Sequence, residues 1–345
     1  MLHSIPAGIQ NSVGCEESTV SKRKWGESFL KTGLPLEHLV LLKFKSLGFR
    51  CFPHVEYRRL DRDKEEQWFE LDLHAISNER NKDTELTFLV ECKYHDLSRF
   101  WFFLPCETRR WAFDSRILNP GPVQTLKDPK ATSLLSLASQ SYGGIVVSED
   151  GAKQDNAVHT AIQQLANGFV PYALSTMFGE NFDLDEGQKY PMATTLVPLV
   201  VTNARIFRLR PDVHSLESIR DASEPSDVAD EVRWTWCYYE PSMALLEAND
   251  KAIEEHEEVI NRLKKKHSFV TAKTFLLRTR PNWILVVTFN ALDEAIRRVT
   301  EEFGKRETLT VPDTIKREEE EHQRFLDEIR RKYEAPNKTD AGEGK

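Results

Sequence analysis

At 345 residues the chain is longer than most compact domains, so one large domain or two is expected. A formal net charge of −8 excludes nonspecific polyanion binding through bulk charge, and any contact with nucleic acid has to come from local basic patches. Five cysteines, Cys15, Cys51, Cys92, Cys106 and Cys237, form no CxxC or Cys/His cluster, which points to reduced thiols in a cytoplasmic protein and away from a structural zinc site.

Residues 1–24 are polar, with a basic SKRK at 21–24, and a flexible N-terminal tail is expected over about 1–30. The spacing then predicts a helix from Leu36 to Leu47, introduced by Gly33 and Pro35 and ended by Gly48. Leu36, Leu39, Val40, Phe44 and Leu47 form its apolar stripe. Glu37 sits in the first turn, where a carboxylate suits the helix dipole; it is equally placed to lean over whatever packs at that end. FRCFPHVEYRRL reads as a first strand, with Pro53 marking an edge or a bulge.

Residues 67–95 read as two strands and a polar turn. In Trp68 to Ile76, alternation puts Glu70, Asp72 and His74 on one face and Leu71, Leu73 and Ala75 on the other. In Leu86 to His95, Glu91, Lys93 and His95 share a face, opposite Val90, Cys92 and Tyr94. A symmetric hairpin centred between Asn81 and Lys82 opposes Asp72 to Glu91 and Glu70 to Lys93. Two carboxylates so placed repel unless a proton or a hard cation such as Mg²⁺ or Mn²⁺ sits between them.

Residues 96–154 read as a long irregular section holding RFWFFLP (99–105), TRRWAF (108–113) and a short buried strand, GGIVV (143–147). Its interleaved aromatics and arginines can stack on bases, or pack a loop onto the core with arginine stems turned outward; the packing reading is preferred. NAVHTAIQQLANGF (156–169) is a core helix ended by Gly168, and Gln163 and Gln164 are read as solvated, with a reach toward the site as the other reading. TLVPLVVTNARIFRL (195–209) is a buried strand, 211–229 a polar boundary loop, and VRWTWCYYE (232–240) another strand. Ala244 to His267 reads as one long charged helix; 269–289 as two strands joined at Pro281-Asn282, then a helix from Ala291; Thr314 to Tyr333 as a charged helix; and 336–345 as a disordered tail. The longest apolar runs, LVPLVV (196–201) and WILVVTF (283–289), are strand-sized, so no membrane span is expected. No dinucleotide, P-loop, GxSxG or HExxH pattern is present, so no nucleotide cofactor is expected.

The order helix, three strands, helix, strand, with Glu37 in GLPLEHL, Asp72 in ELDLHA, and Glu91 and Lys93 in VECKYH, resembles the PD-(D/E)xK nuclease superfamily, specifically its restriction-endonuclease-like, Mrr-like type IV branch. The proline usual before the aspartate is absent, and the section between third strand and second helix is long. The resemblance implies an α/β fold: a restriction-endonuclease-like αβββαβ core with a mixed central sheet over 31–215, and a C-terminal α+β extension over 231–335 with long charged helices. It also implies Mg²⁺- or Mn²⁺-dependent endonucleolytic hydrolysis of DNA, plausible in restriction or defence. Asp72, Glu91 and the Cys92 carbonyl would hold the metal, Lys93 would orient water or offset charge, and Glu37 would complete the site. By the same resemblance, Gln163 or Gln164 matches the family's later glutamine, and homodimerisation through the C-terminal region follows by analogy. The rival expectations are a catalytically silent nuclease fold used for binding or assembly, and an RNA-cleaving enzyme with the same chemistry.

Overall fold

The computed structural model describes residues 17–60, 66–77, 84–95, 98–106, 138–149, 156–178, 193–266 and 280–304, with short helical pieces between 320 and 331. Among the described residues, ten strands form one mixed sheet: β1 (Arg50–Leu60), β2 (Glu66–Ile76), β3 (Thr84–Lys93), β4 (Arg99–Pro105), β5 (Ser139–Ser148), β6 (Ala193–Thr202), β7 (Arg205–Leu209), β8 (Ala229–Val232), β9 (Trp234–Tyr238) and β10 (Trp283–Thr288). Their spatial order is β1-β2-β3-β6-β10-β9-β5-β4-β7-β8. β2 runs antiparallel to both β1 and β3, whereas β3 and β10 both run parallel to β6. Such central strands are covered on both faces and read as continuous apolar runs, as LVPLVV and WILVV do.

Helices cover both faces. Leu36, Val40 and Phe44 of α2 (Leu34–Ser46) and Ala295, Ile296 and Val299 of α7 (Leu292–Gly304) pack with Phe88, Val90, Leu199 and Leu285 on one face. On the other, Ala161, Leu165 and Phe169 of α3 (Ala157–Phe178) pack with Tyr57, Leu71, Leu89 and Val200, and Ile260 of α6 (Glu257–Lys266) joins them. Burying a Leu, Val or Phe side chain is worth roughly 1.5–3 kcal/mol, so these two layers fix the sheet between the helices.

Several elements differ from expectation. Glu17–Leu30, expected within the flexible tail, is helix α1. RFWFFLP is not a loop: β4 buries Trp101 and Phe103 and pairs with both β5 and β7, because its alternating pattern finds partners far along the chain. The expected boundary after residue 215 does not divide the sheet, since β9 and β10 lie between β6 and β5. The run 195–209 is two strands rather than one. Asn203 turns its amide onto the His95 backbone, accepting from its N–H (2.7 Å) and donating to its carbonyl (2.5 Å), so the chain breaks at Thr202 and pins the exit of β3. The helix expected over 244–267 is also two, α5 (Met243–Glu254) and α6, with α4 (Leu216–Arg220) in the polar segment before them. The strand expected over 269–280, most of the helix expected over 314–333 and TRRWAF lie outside the described residues.

Gly168 does not end its helix, as α3 continues to Phe178. The glycine instead lets α3 approach β1 and β2: a Cβ there would stand 2.8 Å from Tyr57 Cε1 and 3.1 Å from Leu71 Cδ1. Gly168→Ala is therefore expected to destabilise the fold by about 1–3 kcal/mol through overpacking, outweighing the ~1 kcal/mol that helix propensity favours alanine. Urea denaturation of the variant measures this.

Candidate active site

The site lies where β2 and β3 part. Their ladder runs from Ile76/Thr87 to Leu73/Val90 in the expected hairpin register and stops there. Beyond it β3 stays paired with β6, through Glu91, Cys92 and Lys93, while β2 stays with β1. At the opened rung the Asp72 carboxylate replaces the missing backbone partner, its Oδ2 accepting the Cys92 N–H at 2.6 Å. A buried N–H left without an acceptor would cost about 1–3 kcal/mol, which gives Asp72 a structural reason to point into the gap.

β2 does not keep the alternation read from its sequence. Leu71 packs on the α3 face, but Leu73 and Ala75 pack on the α2 face, so the phase changes at Asp72. β1 changes at the same level: Tyr57 lies with the α3 layer and Cys51 against the α2 layer. Between them His54 has φ 55, in the left-handed region that side chains other than glycine rarely adopt. His74, expected beside Asp72, is thereby turned to α3, where the Tyr172 hydroxyl meets its Nε2 at 2.5 Å; burial pushes its pKa down to about 4 and keeps it neutral. The expected opposition of Glu70 to Lys93 is also not made. Glu70 pairs with the His54 ring, and Lys93 pairs with Glu91.

On β3, Glu91 and Lys93 share a face, as residues two apart must. Lys93 Nζ is 2.6 Å from Glu91 Oε1, with Glu91 1% exposed. The other carboxylate oxygen, Glu91 Oε2, is buried without a hydrogen-bond donor. Burial, then the Asp72 charge, push the Glu91 pKa up to about 8 despite the neighbouring ammonium. Asp72 is raised by burial, against the lowering effects of the Cys92 N–H and Lys93. Cys92 turns its thiol into the α2-side core, with its pKa driven well up by burial, so only its backbone is available to the site.

Glu37 arrives from α2. Gly33 (φ 85) starts that helix, and Glu37 Oε1 folds back to 3.3 Å from where a Gly33 Cβ would stand. The half-buried Glu37 is raised by burial, then by Asp72, and also feels His54, Glu70 and Lys93. The four residues expected from the sequence, Glu37, Asp72, Glu91 and Lys93, thus fall within one electrostatic neighbourhood. His54 and Glu70 belong to it as well. Glu70 was legible as sharing a face with Asp72, but with Lys93 rather than His54 as its expected partner, and His54 only through the irregularity expected at Pro53.

Of the two glutamines, Gln163 is exposed, whereas Gln164 is half-buried on the face toward Tyr57, whose hydroxyl donates to the Gln164 carbonyl at 3.3 Å. The Gln164 side-chain oxygen is buried without a donor.

Among the described residues, no three His, Cys, Asp or Glu side chains are already arranged to hold a metal ion. The donor chemistry nevertheless fits a hard cation. Asp72 and Glu91 supply carboxylate oxygens, and a buried carboxylate oxygen without a donor is stabilised by a proton or a cation. Among the described residues no helix is long and apolar enough to cross a membrane. No protein-family model, curated protein or solved structure matches the chain, so its geometry carries the functional reading.

Proposed function

We propose that the chain is a metal-dependent nuclease of the PD-(D/E)xK kind, hydrolysing phosphodiester bonds in DNA. The observation that carries this reading is the opened rung between β2 and β3, with Asp72 on one side, Glu91 and Lys93 on the other, and Glu37 reaching in from α2. The succession α2, β1, β2, β3, α3, β6 supports a restriction-endonuclease-like core, into which β4 and β5 are inserted before α3.

Asp72, Glu91 and the Cys92 carbonyl would hold Mg²⁺ or Mn²⁺. A bound divalent ion polarises a phosphoryl oxygen and brings the pKa of water toward neutrality. The chain's own residues do the rest. Lys93 offsets the negative charge that builds on the phosphate in the transition state. Burial holds the Glu91 pKa up at about 8, so a cation bound there would displace its proton. Glu37, raised in pKa and half-buried, is suited to hold a water and take a proton from it. The Asp72 bond to Cys92 N–H keeps the gap from closing into a regular ladder.

The reading is tested by incubating the purified chain with supercoiled, linear and single-stranded DNA and with RNA, each with Mg²⁺, Mn²⁺ or EDTA. Cleavage of DNA with either metal and none in EDTA is the expected result. Cleavage of RNA alone would reassign the substrate. A folded chain that cuts nothing and gives no calorimetric signal with Mn²⁺ would leave the binding-module alternative standing.

A further inference from the structure

We propose that the His54 imidazole is a substrate-phosphate contact at the rim of this site, oriented by Glu70; the inference deepens the nuclease reading and rests on it. In the β1–β2 ladder, Pro53 faces Leu73 and Val55 faces Leu71, so His54 stands opposite Asp72 at the level where both strands change face. The residue at that point needs a positive φ. Glycine meets that demand without strain, and asparagine nearly so. A histidine there costs backbone energy that a purely conformational role would not require.

The side chain is also placed for a ligand. Glu70 engages the ring through Nδ1, which leaves Nε2 on the opposite side of the ring, where it donates outward once the imidazole is protonated. The carboxylate partner favours the charged ring and fixes its orientation, as a second group does for many functional histidines. The ring feels the carboxylates of Glu70, Glu37 and Asp72, and Lys93 acts on the same Glu37 and Asp72 from the other side of the gap. A phosphodiester approaching this group meets mostly negative charge. Lys93 is drawn inward onto Glu91 and its side chain is 23% exposed, whereas the His54 side chain is 57% exposed. His54 is thus the more accessible of these two cations, placed where a strand's phosphate oxygen can receive a hydrogen bond before the scissile group reaches the carboxylates. An exposed ion pair with Glu70 alone contributes little in water, and would not explain why the pair sits at the strained position.

The test uses the full chain and the variants His54→Gly and His54→Asn, both able to keep the left-handed backbone. Plasmid nicking with Mn²⁺ gives kcat and KM, and anisotropy of a fluorescein-labelled DNA duplex in EDTA gives affinity as a function of salt. Loss of a charge-assisted phosphate contact is expected to raise KM by about ten- to a hundredfold with little change in kcat. The slope of log affinity against log salt should fall by about one. Melting temperatures should be no lower than that of the wild type, since glycine and asparagine relieve strain at the positive φ. Folded variants with unchanged KM and salt slope would overturn the role of His54 while leaving the nuclease reading intact. A wild-type chain that cleaves no nucleic acid with either metal would remove both.

Discussion

Asp72→Asn is expected to abolish metal-dependent DNA cleavage, by at least about a thousandfold in rate, and to leave the fold intact. The two consequences separate because Asp72 does two things. Its Oδ2 accepts the Cys92 N–H where the β2–β3 ladder opens, and an asparagine carbonyl oxygen can accept the same bond. Its charge is what asparagine cannot reproduce. A hard cation loses a carboxylate ligand in favour of a neutral, weaker donor, and several kcal/mol of charge stabilisation correspond to three or more powers of ten in rate. Asp72→Ala, by contrast, leaves the Cys92 N–H without an acceptor and should also lower stability by about 1–3 kcal/mol. Plasmid nicking alongside thermal denaturation distinguishes these effects. An asparagine variant that cuts within tenfold of wild type would mean that Asp72 serves the backbone and not the chemistry.

Glu91→Gln is expected to make the metal-free protein more stable, by an amount that grows with pH. In the unfolded chain Glu91 ionises near the ordinary glutamate value, about 4.3. In the folded chain, burial and the Asp72 charge move ionisation up to about 8. Between those two pH values the folded protein retains a proton that the unfolded chain has released, so stability falls as pH rises across the window and levels off above it. Glutamine is neutral throughout and escapes the penalty, while its carbonyl oxygen can still accept from Lys93 in place of the 2.6 Å bond. Relative to wild type the variant should gain little near pH 5 and a few kcal/mol above pH 8; at roughly 2–4 °C per kcal/mol, the melting temperature rises by about 5–10 °C. Cleavage should be lost in the same variant, which is the pattern of a site kept at the expense of stability. Melting curves in EDTA from pH 5 to pH 9 check the prediction. A gain independent of pH, or largest at pH 5, would contradict it.

What the sequence determined about this protein is what depends on near neighbours. Glu91 and Lys93 share a face because strand geometry repeats every two residues, and the hairpin register followed from the polar turn between two apolar runs. Glu37 in the first turn of its helix followed from Gly33 and Pro35. The burial of LVPLVV and WILVV was legible as continuous apolar runs. Tertiary structure decided the rest. The phase change at Asp72 depends on which helix covers each end of β2, and the unusual backbone of His54 appears only when β1 must follow that change. Glu70 was free to meet Lys93 or His54 until the ladder opened, and Gly168 reads as a helix end until β1 and β2 are packed against it. The strand Trp283–Thr288 seemed to belong to a separate extension, yet it lies between β6 and β9. Strand partners far apart in the chain, such as Thr84 with Ala193 and Phe100 with Arg205, are selected by the total apolar surface a sheet can bury, a quantity that no local pattern encodes.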